Sequence, residues 1–177
     1  MEIRTKIFSR SGVPRDVVYR EIDSAEDFSG REIETVRAYC FYKDQLVVVR
    51  EQDGHWGLPG GAVEAGENVQ EALRREVMEE SFMQILQMKF LSLREVAEPE
   101  GATNHLRFAC LVEPAGEFES DPAGEVTAVK LIDPATFLQF ADKNWGQIGE
   151  RMLARALELR EVMKNEDITS PADQPEV

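Results

Sequence analysis

The sequence predicts a single α/β domain, and three observations support this prediction. Runs rich in β-branched and aromatic residues recur along the chain and indicate strands. A glycine-rich turn in the middle of the chain leads into a helix with a capping signal, and a long amphipathic helix lies near the C-terminus. The 177 residues suit one domain with a sizeable core.

The first 33 residues are predicted to form an N-terminal extension. Residues 3–8 and 17–22 are strand-like and are expected to pair as a β-hairpin around the turn at 11–14. Residues 24–30 are polar and predict a loop.

The core domain is predicted over residues 34–165. An amphipathic helix is expected over 147–163, and a short helical segment is expected to begin at Asp133-Pro134. The acidic segment 166–177 has almost nothing to bury and is predicted to be a disordered tail. Strands of the core are predicted over 35–42, 45–50, 88–96, 105–112 and 126–132.

The central helix has a clear start signal and a buried face. Asn68 followed by Glu71 predicts an N-cap with a capping-box partner three residues later. Val69, Leu73 and Val77 recur every four positions, so this face of the helix is expected to meet the core.

Three glutamates crowd together beside that apolar face. At about 100° per residue, Glu76, Glu79 and Glu80 fall within an arc of roughly 100°. Each like-charge pair at this spacing costs roughly 0.2–0.5 kcal/mol, and Arg75 can offset one charge of the three. A hard cation such as Mg²⁺ would offset the rest, because it prefers carboxylate oxygens. The alternative is a solvated acidic face on a surface helix.

The segment from Gly61 to Met83 resembles the signature of the Nudix hydrolase family. That pattern is Gly, five residues, Glu, seven residues, Arg-Glu, an aliphatic residue, any residue, Glu-Glu, any residue, Gly and an aliphatic residue. The late glycine is replaced by Phe82, and the lead-in Trp56–Gly60 also looks like that of the family. The matching positions are Gly61, Glu67, Arg75, Glu76, Val77, Glu79, Glu80 and Met83.

Phe82 stands where a glycine would let the chain leave the helix in a left-handed conformation. A phenylalanine in that conformation costs roughly 1–2 kcal/mol. We therefore expect the helix to continue past this position, or to end in a tighter turn, with the ring packed inward.

The resemblance implies an α/β/α sandwich with a mixed sheet and hydrolysis of a phosphoanhydride bond with Mg²⁺, or alternatively Mn²⁺. It implies that Glu79 and Glu80 are metal ligands and that Gly60 supplies a main-chain oxygen. Glu76 is implied as a further ligand or as the base that acts on water. Glu67 and Arg75 are implied to pair and to hold the turn against the helix.

Residues outside the signature carry weaker signals. Glu125 lies where relatives often carry another metal-binding or base glutamate, with an exposed loop carboxylate as the alternative. Trp56 is a candidate for stacking on a base. Three arginines are candidates for phosphate contacts: Arg37, Arg50 and Arg107. Together with Trp56, Arg37 and Arg50 are the predicted substrate-binding residues. His105 is expected to be a satisfied strand residue.

The substrate is less well determined by the sequence. Pro99 lies sixteen residues after Met83, close to where a proline marks relatives that cleave ADP-ribose. The N-terminal extension is also similar to that group, whose extensions often help to form a homodimer. We expect hydrolysis of a nucleoside diphosphate linked to another moiety, of the ADP-ribose or nucleotide-sugar type. The alternatives are a nucleoside triphosphate pyrophosphohydrolase, including oxidised triphosphates, and a non-catalytic nucleotide-sensing domain.

Charge and composition exclude several other classes of function. The net charge of −14 would repel nucleic acid and anionic membranes, and no apolar run is long enough to cross a bilayer. The N-terminal residues lack the apolar core of a signal peptide, so a cytoplasmic protein is expected. Cys40 and Cys110 each lie in a strand-like run and are expected to be buried thiols.

Overall fold

The computed structural model describes residues 1–8, 12–140 and 146–166 of the chain. The predicted tail lies outside the described residues from position 167 onward. The helices are α1 (Val69–Ser81), α2 (Phe137–Phe140) and α3 (Gly146–Asn165). The strands are β1 (Glu2–Phe8), β2 (Pro14–Glu21), β3 (Thr35–Tyr42), β4 (Gln45–Glu51), β5 (Trp56–Gly57), β6 (Met83–Glu98), β7 (Gly101–Pro114) and β8 (Val126–Ile132).

Within the described residues, eight strands form one mixed sheet. Its order is β1-β2-β6-β7-β3-β4-β5, and β8 pairs with β4 away from this path. β3 and β7 run parallel, with Arg37 opposite Arg107 and Cys40 opposite Cys110, whereas the other pairs are antiparallel. This mixture confirms the predicted fold class.

Helices cover both faces of the sheet, as the alternation of side chains along β3 shows. Tyr39 and Phe41 belong to a core cluster that also contains Ile148 and Met152 of α3. Val36, Ala38 and Cys40 point to the opposite face and belong to a second cluster that contains Leu73 and Val77 of α1. Successive residues of a strand point to opposite faces, so β3 contributes to both cores of the α/β/α arrangement.

A hairpin forms at the N-terminus and joins the main sheet, but its second strand begins at Pro14, inside the predicted turn, rather than at Val17. β1 pairs with β2, and β2 pairs in turn with β6, where Val17 lies opposite Val96. Val17 and Tyr19 are fully buried in the core on the α3 side. The predicted loop after the hairpin contains a short 3₁₀ helix at Ala25–Phe28, because Ser24 and Asp27 form a capping box.

The hairpin of β6 and β7 is longer than the sequence suggests. β6 begins at Met83, immediately after the C-cap residue of α1, and its first four residues alternate: Met83 and Ile85 are buried, whereas Gln84 and Leu86 are exposed. The turn between the two strands contains Pro99. Two register shifts interrupt the pairing of these strands.

The expectation for Phe82 is wrong. Phe82 is the C-cap residue of α1 and adopts the left-handed conformation, with φ of 53° and ψ of 34°. Its N–H donates to the Met78 carbonyl, so the helix ends here as it would with glycine. The ring is half-buried and contacts Phe118 edge to face, with centroids 6.4 Å apart. This contact offsets part of the conformational cost.

Two substitutions of Phe82 separate the strain from the ring contact. Phe82→Ala keeps a Cβ in the left-handed conformation and removes the ring, so we expect a loss of about 1–2 kcal/mol in unfolding free energy. Phe82→Gly removes the ring and the strain together, so we expect it to be about 1 kcal/mol more stable than the alanine variant. Urea denaturation of both variants checks the order. An alanine variant at least as stable as the glycine variant would contradict the left-handed assignment.

The two cysteines are free and fully buried, which confirms the expectation of buried thiols. Burial, followed by the hydrogen bond with Cys110, raises the pKa of the Cys40 thiol. No helix in the described part of the chain is long and apolar enough to cross a bilayer.

Candidate active site

The glycine-rich turn lies against the edge of β3. The Val36 N–H donates to the Gly61 carbonyl at 2.9 Å, and the Ala38 N–H donates to the Pro59 carbonyl at 3.0 Å. Gly60 has a φ of +134°, and a Cβ added there would lie 2.2 Å from the Val36 carbonyl oxygen. Only glycine allows the turn to approach β3 this closely.

Helix α1 brings two of its glutamates to this turn. The Gly60 N–H donates to Oε2 of Glu80 at 2.7 Å. A Cβ added at Gly61 would lie 2.6 Å from Oε1 of Glu76, so the missing side chain leaves room for that carboxylate. The capping box of Asn68 and Glu71 forms as predicted and sets the start of the helix.

The two glutamates lie in an environment that disfavours their charge. Burial raises the pKa of Glu80 to about 7, against the lowering effects of the Gly60 N–H and Arg37. Glu76 and Asp121 make smaller contributions to this raised pKa. Burial also raises the pKa of Glu76, and Glu79 adds to the rise while Arg75 opposes it.

Arg75 connects the turn to the helix. Its Nε and Nη2 donate to the two carboxylate oxygens of Glu67 at 2.9 and 3.0 Å, and Nη2 also donates to the Ala62 carbonyl. Its Nη1 donates to Glu76 at 2.8 Å and to Glu79 at 3.4 Å. The Arg75 hydrogen bond holds the pKa of Glu67 below its usual range.

The donor set suits a hard divalent cation. Glu76, Glu79 and Glu80 supply carboxylate oxygens, Gly60 supplies a main-chain carbonyl, and Glu79 is about one-third exposed to solvent. Among the described residues, no group of three or more His, Cys, Asp or Glu side chains is already arranged to hold a metal ion. Glu76 is paired with Arg75 and Glu80 with the Gly60 N–H, so both carboxylates would have to turn to share a cation.

Two predicted substrate-binding residues lie at a cavity on the α3 face of the sheet. The cavity has a volume of about 370 Å³, and Arg37 and Trp56 line it. Arg37 also donates to the Leu58 carbonyl, and its backbone lies beside Gly60, whose N–H donates to Glu80. Arg50 is exposed on β4 and is not part of the cavity wall.

The structure points to Asp121 rather than Glu125 as the carboxylate that influences Glu80. Glu125 is exposed, and its N–H donates to Asp121 at 2.7 Å. Asp121 is 6% exposed and also accepts N–H groups from Ala123 and Val126. The sequence offered one signal for Asp121, the turn Asp-Pro-Ala-Gly, in which an aspartate commonly accepts backbone N–H groups.

His105 and Arg107 line the same cavity, and Arg94 joins them there without a signal in the sequence. His105 makes hydrogen-bond contacts with Thr35 and Thr103, which agrees with a satisfied strand residue. Burial, followed by Arg94, lowers the pKa of His105 to about 3, so its ring is neutral at pH 7.

Comparison with known proteins gives a consistent family assignment. Residues 33–155 match the family model of the NUDIX domain. Nudix hydrolase 6 of Arabidopsis thaliana is 31% identical over 111 residues, which cover 58% of this chain and 38% of that protein. The chain thus spans less than two fifths of the length of this curated relative.

Two solved structures share the fold. A variant of the Bacillus subtilis pyrophosphohydrolase BsRppH has a TM-score of 0.67 at 18% identity, covering 88% of this chain and 97% of that chain. An ADP-ribose pyrophosphatase from Streptococcus suis has a TM-score of 0.51 at 20% identity, covering 79% and 94%. With more than half of its residues matched by the NUDIX domain model, this chain belongs to the Nudix hydrolase family.

Proposed function

We propose that this protein is a Mg²⁺-dependent pyrophosphohydrolase that cleaves a nucleoside diphosphate linked to another moiety, of the ADP-ribose or nucleotide-sugar type. The observation that carries this proposal is the buried Glu80 and the half-buried Glu76 beside the glycine turn. Glu80 is 7% exposed, and burial raises the pKa of both Glu76 and Glu80. Repelling carboxylates of this kind reduce stability unless a cation binds them.

The residues of this chain have distinct roles in the proposed reaction. Glu79, Glu80 and the Gly60 carbonyl are ligands of the metal, which when bound neutralises charge on the diphosphate and lowers the pKa of a bound water. Nudix hydrolases generally use divalent metals. Glu76 is either a further ligand or the base, since burial raises its pKa and thereby makes its carboxylate a stronger proton acceptor.

The proposed reaction needs no covalent intermediate. Water adds to one phosphorus, the bond to the bridging oxygen breaks, and the water proton passes to a carboxylate oxygen. Arg75 and Glu67 hold the turn against α1 and thereby keep the Gly60 carbonyl and the glutamates together. Arg37, which lines the cavity and lies beside Gly60, is placed to contact a phosphate oxygen.

The size of the cavity suits a nucleotide with a sizeable group attached. Its volume of about 370 Å³ lies within the usual range of small-molecule pockets, roughly 300–1,000 Å³. Trp56 offers an aromatic surface to a base at its wall. The position of Pro99 favours the diphosphate class, and one protein of the same fold is an ADP-ribose pyrophosphatase. Glu125 is retained only as a second candidate ligand.

A pooled nucleotide panel incubated with the protein and Mg²⁺ tests the proposal by mass spectrometry. The pool contains ADP-ribose, nucleotide sugars, triphosphates, oxidised triphosphates and dinucleoside polyphosphates. We expect loss of a diphosphate-linked member with two phosphate-bearing products, and no loss when EDTA replaces Mg²⁺. Loss of triphosphates alone would favour the pyrophosphohydrolase alternative, and binding without any loss would favour a sensing domain.

A further inference from the structure

The cavity on the α3 face carries an unusual concentration of positive charge. Four arginines and two glutamates line it, and His105 is neutral at pH 7. The cavity wall therefore has a net charge of +2, since the four positive charges exceed the two negative ones, in a chain whose net charge is −14. A basic concave site in an acidic protein concentrates anions.

Three of these arginines come from three neighbouring strands. Arg37 of β3 lies opposite Arg107 of β7, and Arg94 of β6 lies opposite His105 of β7. Arg94 and Arg107 are each only 7% exposed. Burial and the neighbouring arginines lower the pKa of Arg94, and burial, followed by Arg37, lowers the pKa of Arg107 to about 10. A bound anion would stabilise this group of like charges.

The cluster extends beyond the reach of one diphosphate. Arg37 is the member whose charge acts on Glu76 and Glu80. Arg94 lies two strands away from it, a lateral separation of about 10 Å between backbones, which is longer than a diphosphate group. Arg107 lies between Arg37 and Arg94 in the strand order, so a diphosphate held beside the glutamates and Arg37 leaves Arg94, with Arg107 beside it, for a second anionic group.

We propose that Arg94 and Arg107 bind a phosphate monoester carried by the substrate away from the bond that is cleaved. This proposal rests on the proposed function and narrows its substrate class to nucleoside diphosphate conjugates that carry one additional phosphate. Guanidinium groups suit a phosphate monoester, because their N–H groups can donate in pairs to its oxygens. The cavity opens to solvent beside His55 and Phe8, both more than half exposed, which leaves a path for such a group.

Two matched substrate pairs test this directly. NADPH and NADH, and coenzyme A and dephospho-coenzyme A, differ within each pair by one phosphate monoester. We expect the phosphorylated member of at least one pair to have a KM at least about tenfold lower, with a similar kcat. We expect Arg107→Gln and Arg94→Gln to reduce this preference to near unity. Arg4→Gln, which removes an arginine charge at an exposed position of β1, should leave the preference intact.

Thermal stability in inorganic phosphate provides a readout that does not need hydrolysis. We expect phosphate to raise the Tm of the wild-type protein and of Arg4→Gln, and to raise the Tm of Arg107→Gln much less. If neither pair is hydrolysed, the assignment of a substrate with an additional phosphate fails. Cleavage of ADP-ribose or a nucleotide sugar in the pooled panel would then show that the hydrolase proposal stands without it, and stabilisation by phosphate would still support an anion site. If both pairs are hydrolysed with equal KM values, the substrate assignment is overturned. This holds even if inorganic phosphate stabilises the protein through Arg107. If Arg107→Gln does not fold, the same KM and Tm measurements are made with Arg94→Gln instead.

Discussion

Replacing Glu80 with glutamine is expected to abolish hydrolysis and, at the same time, to stabilise the metal-free protein at pH 8. Glutamine keeps an oxygen that can accept the Gly60 N–H but removes the negative charge that a cation would bind. Losing one carboxylate ligand of this kind should lower kcat/KM by at least about 100-fold, or about 2.7 kcal/mol. Formation of the two phosphate-bearing products at saturating Mg²⁺, followed by mass spectrometry, measures this loss.

The expected gain in stability follows from the raised pKa of Glu80. In the folded protein the carboxyl group keeps its proton up to about pH 7, whereas its ordinary pKa is 4.5. This contribution to stability is complete below pH 4.5 and is lost as the pH rises toward 7. Glutamine cannot ionise, so the variant should gain on the order of 3 kcal/mol at pH 8 and nothing at pH 4.

Denaturation in EDTA at pH 4 and pH 8 checks this second effect, with Glu113→Gln as the control. Glu113 is an exposed carboxylate on β7, so its replacement should change neither activity nor the pH dependence. A Glu80→Gln variant that keeps most of its activity would refute the ligand role. A variant that is less stable than the wild type at pH 8 would show that Glu80 is part of a stabilising network instead.

Gly60→Ala is expected to destabilise the fold more than any other single methyl addition in the turn. The new Cβ would lie 2.2 Å from the Val36 carbonyl oxygen and 2.6 Å from the Arg37 Cα, both of which are backbone atoms. The positive φ adds strain for any residue with a side chain. Together these effects should cost roughly 3–5 kcal/mol in unfolding free energy. They should also displace the carbonyl proposed as a metal ligand.

Gly66→Ala provides the matched control for this substitution. Gly66 also has a positive φ, +85°, but a Cβ added there would meet open space. We expect a loss of only about 1–2 kcal/mol from the left-handed conformation. Guanidinium denaturation of both variants measures the difference. Equal losses for the two would show that the close approach of Gly60 to β3 contributes little.

The start of α1 and its buried face could be predicted from the sequence because both depend on local chemistry. Asn68 and Glu71 cap the helix through contacts within three residues, and Leu73 and Val77 lie on the face that repeats every four positions. The predicted hydrogen bonds of Arg75 to Glu67 also form, since the turn and the helix are consecutive in the chain.

Phe82 and Asp121 could not be predicted in the same way because their behaviour depends on distant residues. The left-handed conformation of Phe82 is compensated by Phe118, a partner 36 residues away in a segment without regular structure. Asp121 raises the pKa of Glu80 from a turn that is remote in sequence. The arginine cluster required the order of β6, β7 and β3, and the sequence alone does not determine strand order.

The N-terminal hairpin has a consequence for how such a protein can change. Ile7, Phe8 and Arg15 of the hairpin line the cavity, whereas Glu76 and Glu80 come from a helix on the other side of the sheet. The hairpin residues that line the cavity and the carboxylates of α1 therefore come from separate segments of the chain. Substitutions in the first 22 residues can alter which molecules enter without disturbing the acidic groups, so selectivity and chemistry are free to evolve independently.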